Sequence, residues 1–222
     1  MRGDKLKKYY VVLCSLGFFL TLVLLSSPTY AEECSPFQFS LWPSIQLVPK
    51  EKVVCGVRLD LVAGDNAEVS GLDAGLANFA GAFKGLQIGV VNWLGKKDGR
   101  VSCGVRIGGL DVDNNMTGVQ VGLGSIAINM TGMQISMFEN DAVQMRGVQI
   151  ALFANSAMQG DVNISGVQIA IANADYGHMT GVQIGIVNVC KYLTGVQIGL
   201  INIVYGGEKA IPFMPLLNIG FY

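Results

Sequence analysis

Apolar and polar residues alternate through most of this chain, and the alternation restarts at short, regular intervals. Each restart is a glycine. In the unit that opens at Gly181, Val182, Ile184 and Ile186 alternate with Gly181, Gln183 and Gly185; the unit at Gly195 repeats this with Val196, Ile198 and Leu200. Strict alternation rich in Val and Ile predicts a half-buried strand, and the three- and four-residue spacing of an amphipathic helix is missing. Counting the glycine as position zero, the parity breaks after position five. Positions six and eight are often apolar, and position seven is Asn in the cleanest units: Asn78, Asn92, Asn173, Asn188 and Asn202. A parity switch predicts a bend or bulge, and Asn suits one because its amide bonds to nearby backbone. An apolar anchor follows two residues before the next glycine: Phe83, Met116, Met130, Met145, Ile164, Met179 and Leu193.

The opening glycines are Gly56, Gly71, Gly85, Gly104, Gly118, Gly132, Gly147, Gly166, Gly181 and Gly195, at steps of 15, 14, 19, 14, 14, 15, 19, 15 and 14 residues. A fixed period marks a repeat architecture. Each 19-residue step reads as a 14-residue unit with five residues inserted in a turn, over Gly95–Arg100 and Gln159–Val162. The predicted fold is all-β, with about ten tandem repeats, and a β-solenoid is the preferred architecture. Each unit is then one coil, and equivalent positions stack about 4.8 Å apart. Val, Ile and Leu are expected to form inner ladders, with Gln and Gly facing out and Asn at a corner. On that reading Ile184→Asp buries an unpaired charge and unfolds the stack.

The alternative is an up-and-down antiparallel meander closed into a β-barrel, with its first strand at 37–48 and its last at 215–222. Three outward apolar residues per unit cover only roughly 17 Å of strand, against an apolar membrane band of about 25 Å. Aromatic residues do not recur at a fixed unit position, so the girdles of a membrane barrel are missing.

The ends divide the chain further. Residues 1–31 read as a signal peptide: Arg2, Lys5, Lys7 and Lys8 precede an apolar run from Val11 to Leu25, and Thr29-Tyr30-Ala31 resembles a cleavage site. Residues 32–55 read as an N-terminal cap, 56–204 as the repeat region, and 205–222 as a C-terminal cap or closing strand. Atypical ends are what a stack of repeats needs to cover its edges. Beyond residue 31 the chain carries 11 Lys+Arg and 15 Asp+Glu, a net charge of −4. With no basic run, nucleic acid is excluded as a partner. Four cysteines remain: Cys34, Cys55, Cys103 and Cys190. An even count in an exported chain permits two disulfides, and Cys34–Cys55, stapling the N-terminal segment to the first unit, is the favoured pair.

Little in the sequence supports catalysis. His178 is the single histidine and lies in what reads as a solvated turn, Asp175-Tyr176-Gly177-His178. No zinc spacing and no phosphate-cradling loop is present, and no cofactor is expected. Asp111-Val112-Asp113-Asn114-Asn115 resembles the start of a calcium loop, but Met116 stands where Gly is required and Gly122 where an acid is required, so a polar turn is expected. The methionines at 116, 130, 145 and 179 read as core filler. The Gln column (Gln87, Gln120, Gln134, Gln149, Gln168, Gln183, Gln197) is read as the polar outer face of the sheet and as a candidate binding ladder for a carbohydrate or a protein.

The chain resembles a family of bacterial surface-repeat proteins with tandem Gly-Val-Gln-Ile-Gly-Leu-x-Asn units behind a signal sequence. The likeness rests on Gly147–Ile150, Gly166–Ile169, Gly181–Ile184 and Gly195–Ile198, on Ser40–Pro43 with Gln46–Pro49, and on Pro212–Pro215 with Asn218. Arg58 and Arg106, standing where Gln is usual, depart from it. The resemblance implies export to the periplasm, outer membrane or cell surface, and brings no known activity with it. The expectation is a non-enzymatic scaffold or binding surface, with an envelope protein or carbohydrate as partner and membrane association allowed. The alternative is an outer-membrane or membrane-associated barrel.

Overall fold

A computed structural model describes residues 34–95, 100–157, 162–206 and 211–221. The expected signal peptide, most of Gly95–Arg100 and most of Gln159–Val162 lie outside the described residues. The chain is all-β and winds as a β-solenoid of about nine turns. Among the described residues nine strands follow in order: β1 Cys34–Trp42, β2 Ile45–Gln46, β3 Val53–Leu94, β4 Ser102–Ala151, β5 Ala154–Ala157, β6 Asn163–Ile169, β7 Ala172–Ile184, β8 Val187–Val204 and β9 Phe213–Phe221. β3 and β4 are far longer than ordinary strands because each runs through several coils without losing its pairing to the next.

The pairing repeats the sequence period. Gly85 lies opposite Gly104, Gly166 opposite Gly181, and Gly181 opposite Gly195, all in parallel. Parallel register between successive units rules out the up-and-down meander, in which neighbouring strands must run antiparallel. Among the described residues only the ends are antiparallel: β2 folds back on β1, and β9 lies on β8 with Asn218 opposite Gln197. Pro43, beside the β1–β2 turn, and Pro215, within β9, lie at the two ends of the stack, where a missing N–H discourages further strand addition. The Cys34–Cys55 disulfide ties β1 to the first coil.

The glycine column is set by backbone geometry. From Gly71 to Gly195 the opening glycines have φ between 129° and 142°, a region that residues with a Cβ rarely enter. A Cβ on Gly181 would also collide with the carbonyl oxygen of Gly166, one coil below. Each coil turns a corner at this glycine, and successive coils touch there backbone to backbone. A second bend follows position four, at Leu152-Phe153, Ala170-Ile171 and Gly185-Ile186. There the small residue leaves room for the Asn amides, since a Cβ on Gly185 would approach Asn173 Nδ2 to 2.9 Å and Asn188 Oδ1 to 3.0 Å.

Which residues face inward is opposite to expectation at the strands that open each unit. The Gln column is fully buried, whereas Ile184 is 37 %, Ile198 43 % and Leu200 61 % exposed. Val, Ile and Leu therefore form outer rather than inner columns. In the unit at Gly181 the inward side chains are Gln183, Asn188, Cys190 and Leu193. The anchor residues two before each glycine do point inward, and from Met116 onward they form one apolar cluster with Ala127, Ala142, Ala157, Val162, Cys190 and Val204. A second cluster, Val54, Val69, Ala80, Phe83 and Leu94, fills the first coils. Between the two clusters the unit at Gly104 contributes buried Ser102, Arg106, Asp111 and Asp113.

Candidate functional site

The polar chemistry of this chain is spent inside the coil. Each Gln amide donates to the Gln one coil below: Gln197 to Gln183 at 2.8 Å, Gln183 to Gln168, Gln168 to Gln149, Gln149 to Gln134 and Gln134 to Gln120, each at 2.9 Å. The Asn corners form a second ladder from Asn140 through Asn155, Asn173 and Asn188 to Asn202, with steps of 2.8–2.9 Å. Each of these amides also reaches a backbone carbonyl of the next coil; Asn173, for example, donates to Ile184 O at 3.0 Å. Buried amides are tolerated because the rungs satisfy one another. The ladder cannot serve as an exposed binding surface, so Gln87, Gln120, Gln134, Gln149, Gln168, Gln183 and Gln197 are structural.

Three units depart from Gln at position two, with Arg58, Asp73 and Arg106, and these are ionic rungs of the same column. Arg58 makes a paired contact with Asp73, Nε to Oδ1 and Nη2 to Oδ2, both at 2.7 Å. Arg106 donates to Gln87 Oε1 at 2.8 Å and lies 3.4 Å from Asp113. This rung is imperfect. A guanidinium accepts nothing from the Gln amide one coil above it, and Arg106 Nη2, Gln120 Nε2 and Asp111 Oδ2 all lack a partner. Asp111 and Asp113 thus line the interior and are not a polar turn. Burial raises both carboxyls, Asp113 to about 6, against the pull of Arg106. Asp175 is buried further along the stack, away from any Arg; burial pushes it up to about 7 although Gln168 and Gln183 donate to it at 3.1 and 2.8 Å. The neighbouring Cys190 thiol is pushed up to about 12 by burial and by Asp175.

His178 is placed in strand β7 rather than in a turn, exposed and stacked 4.6 Å from the Tyr192 ring. Among the described residues no group of three His, Cys, Asp or Glu side chains is gathered for a metal ion. Cys103 is exposed and Cys190 buried, both as free thiols.

What faces outward is unusual. In all ten units, positions one, three and five hold no charged or polar side chain, only Val, Leu, Ile, Met, Ala or Gly. The cap strands extend the columns, with Phe37 and Phe39 opposite Val57 and Leu59, and with Ile219 and Leu217 opposite Val196 and Ile198. An apolar groove of about 490 Å³ lies along this wall, and a second of about 530 Å³ runs from it past the bend, where Ser125, Glu139 and Asp141 join the lining. In the first, small Ala151, Ala170, Gly185 and Gly199 form the floor between the Ile169–Ile184–Ile198 row and the Leu152–Ile171–Ile186–Leu200 row. The side preceding each glycine is different: Asn129, Thr131, Gln144, Arg146, Asn163, Ser165, His178 and Thr180 line a polar cleft of about 740 Å³. Sequence reasoning missed the wall because it placed these same residues inside. No family model, curated protein or solved structure matches the chain.

Proposed function

We propose that this chain is an exported, non-enzymatic repeat protein of the bacterial cell envelope that acts as a scaffold, docking through its apolar outer wall. The observation that carries the reading is the wall itself: three columns without a polar side chain, running from one cap to the other. Exposed apolar patches beyond a few hundred Å² mark interaction surfaces, and this one is continuous. The basic start and apolar run of residues 1–31, the Cys34–Cys55 bond and the resemblance to surface-repeat proteins support export. The non-enzymatic role is supported by the use of Gln, Asn, Asp and Arg side chains as core rungs.

The test is fractionation of the full chain after expression in a bacterial host, beside the variant Ile171→Glu/Ile186→Lys/Leu200→Glu. These three sites are exposed, and the alternating signs attract between adjacent coils. The parent is expected in the envelope fraction in a disulfide-bonded form, and the variant in the soluble exported fraction. A parent retained in the cytoplasm overturns export, and a parent recovered as a soluble monomer overturns docking.

A further inference from the structure

We propose that the occupant of the apolar wall is the surface of a lipid bilayer built from uncharged or zwitterionic lipids, with acyl chains packed along the wall's grooves. The inference rests on the docking reading above and names its partner.

Area and placement separate lipid from a second copy of the chain. One strand from β1, ten from the glycine units and one from β9 make twelve rungs in the wall. At about 4.8 Å per rung and 3.3 Å per residue, the wall is roughly 50 Å long and 15 Å wide, or roughly 750 Å². A standard protein partner covers about 800 Å² per side, so one partner copy would use up this wall alone. The apolar exterior does not stop there. Past the bend, Trp93, Leu110, Ile126, Phe138, Phe153 and Ile201 are exposed on the adjoining side, which is interrupted by Glu139 and Asp141. A pairwise interface leaves that side bare. A fluid apolar phase covers both sides around the bend and leaves the Asn, Thr, Gln and Arg146 side in water. Among the described residues, successive coils pair backbone to backbone, as a surface meeting hydrocarbon must.

The chemistry of the groove points the same way. The groove between the Ile184 and Ile186 rows is lined by Ala, Gly, Leu and Ile only. It has no donor to orient a partner's polar groups and no cation to hold a free fatty acid's carboxylate. A linear hydrocarbon chain is the ligand that needs neither. With a net charge of −4 beyond residue 31, attraction to anionic headgroups is not the driving force, so binding should persist at high salt.

The experiment is flotation of the chain recovered after export, freed of the apolar run at residues 11–25, with phosphatidylcholine vesicles after exchange out of mild detergent. The parent is expected to float with the vesicles at low and high salt. The Ile171→Glu/Ile186→Lys/Leu200→Glu variant, with an unchanged far-UV dichroism spectrum, is expected to partition about tenfold less or weaker. A parent that forms dimers or larger assemblies and ignores vesicles overturns the lipid assignment while leaving the docking wall intact. A parent that stays monomeric and unbound overturns both. Should the triple variant misfold, fluorescent labels decide. A label on Cys103, which is exposed beside the polar side, should escape a quencher carried on the lipid acyl chains. A label on Ile186→Cys in a Cys103→Ser background should be quenched. Equal quenching at the two sites overturns the proposal.

Discussion

At the scale of single residues, the interior column is a donor–acceptor chain, and each break in it has a definite cost. Arg106 keeps the sense of the chain by donating to Gln87 Oε1 but offers the Gln120 amide no acceptor, and Asp111 and Asp113 lie beside it as counter-charges. Arg106→Gln alone strands two buried carboxylates and should cost about 3–5 kcal/mol. Arg106→Gln/Asp111→Asn/Asp113→Ala restores a Gln rung and an Asn corner, and should equal or exceed the parent in chemical denaturation, because replacing a buried ion cluster is often neutral or stabilising. Equal stability of single and triple variants would refute this account. Asp175 gives a pH signature. Its folded pKa of about 7 lies above the ordinary 3.8, so the folded chain binds the proton more tightly than the unfolded one. That contribution is full below about pH 4 and is lost as pH rises toward 7; Asp113 acts in the same sense. Thermal melting should therefore fall between pH 4 and 7, and Asp175→Asn should flatten the fall and melt higher than the parent at pH 8.

At the scale of the element, the strand-opening glycine and the corner Asn define one coil. Gly181→Ala must place a Cβ against the Gly166 carbonyl at a φ of 132°, and should cost about 3 kcal/mol or more. Asn173→Ala removes a rung that serves Asn155, Asn188 and the Ile184 carbonyl. At about 1–3 kcal/mol per orphaned polar group, its loss should also be near 3 kcal/mol, measurable in the same denaturation series. The period, the strands, the corner Asn and the inward anchor residues were legible in the sequence, because glycine geometry and apolar spacing are local properties. The direction of the Gln side chains was not. Period-two alternation says that a strand has two faces and is silent about which one is enclosed. One signal did exist. Where position two departs from Gln it holds Arg58, Asp73 or Arg106, each charge with an opposite charge near it in the repeat, whereas position one merely exchanges Val for Leu or Met. A rung must match the rungs above and below it, whereas an outer residue need only be apolar.

At the scale of the whole molecule, amide ladders run along the axis and apolar walls face outward. The stack is closed at one end by Gln38, whose Oε1 accepts from the Val48 N–H at 2.7 Å, and at the other by Asn218. The Cys34–Cys55 bond spans 21 residues, so reduction should weaken the first coil by about 3 kcal/mol in the chain-entropy picture. Hydrogen exchange should show faster exchange in β1 under reduction and little change in β8. Ile184→Asp, read from sequence as a core-breaking change, should instead leave the parent's far-UV spectrum, since Ile184 stands in the outer wall.

The sequence by itself determined the all-β repeat, its period, its bends and the content of each coil, because these follow from backbone sterics and neighbour spacing. Only the tertiary structure decided that amides lie inside and aliphatic side chains outside. A buried Gln is costly when it stands alone and becomes acceptable when stacked coils supply a partner for every rung. That compensation acts between residues 14 to 19 positions apart, beyond the reach of any local pattern.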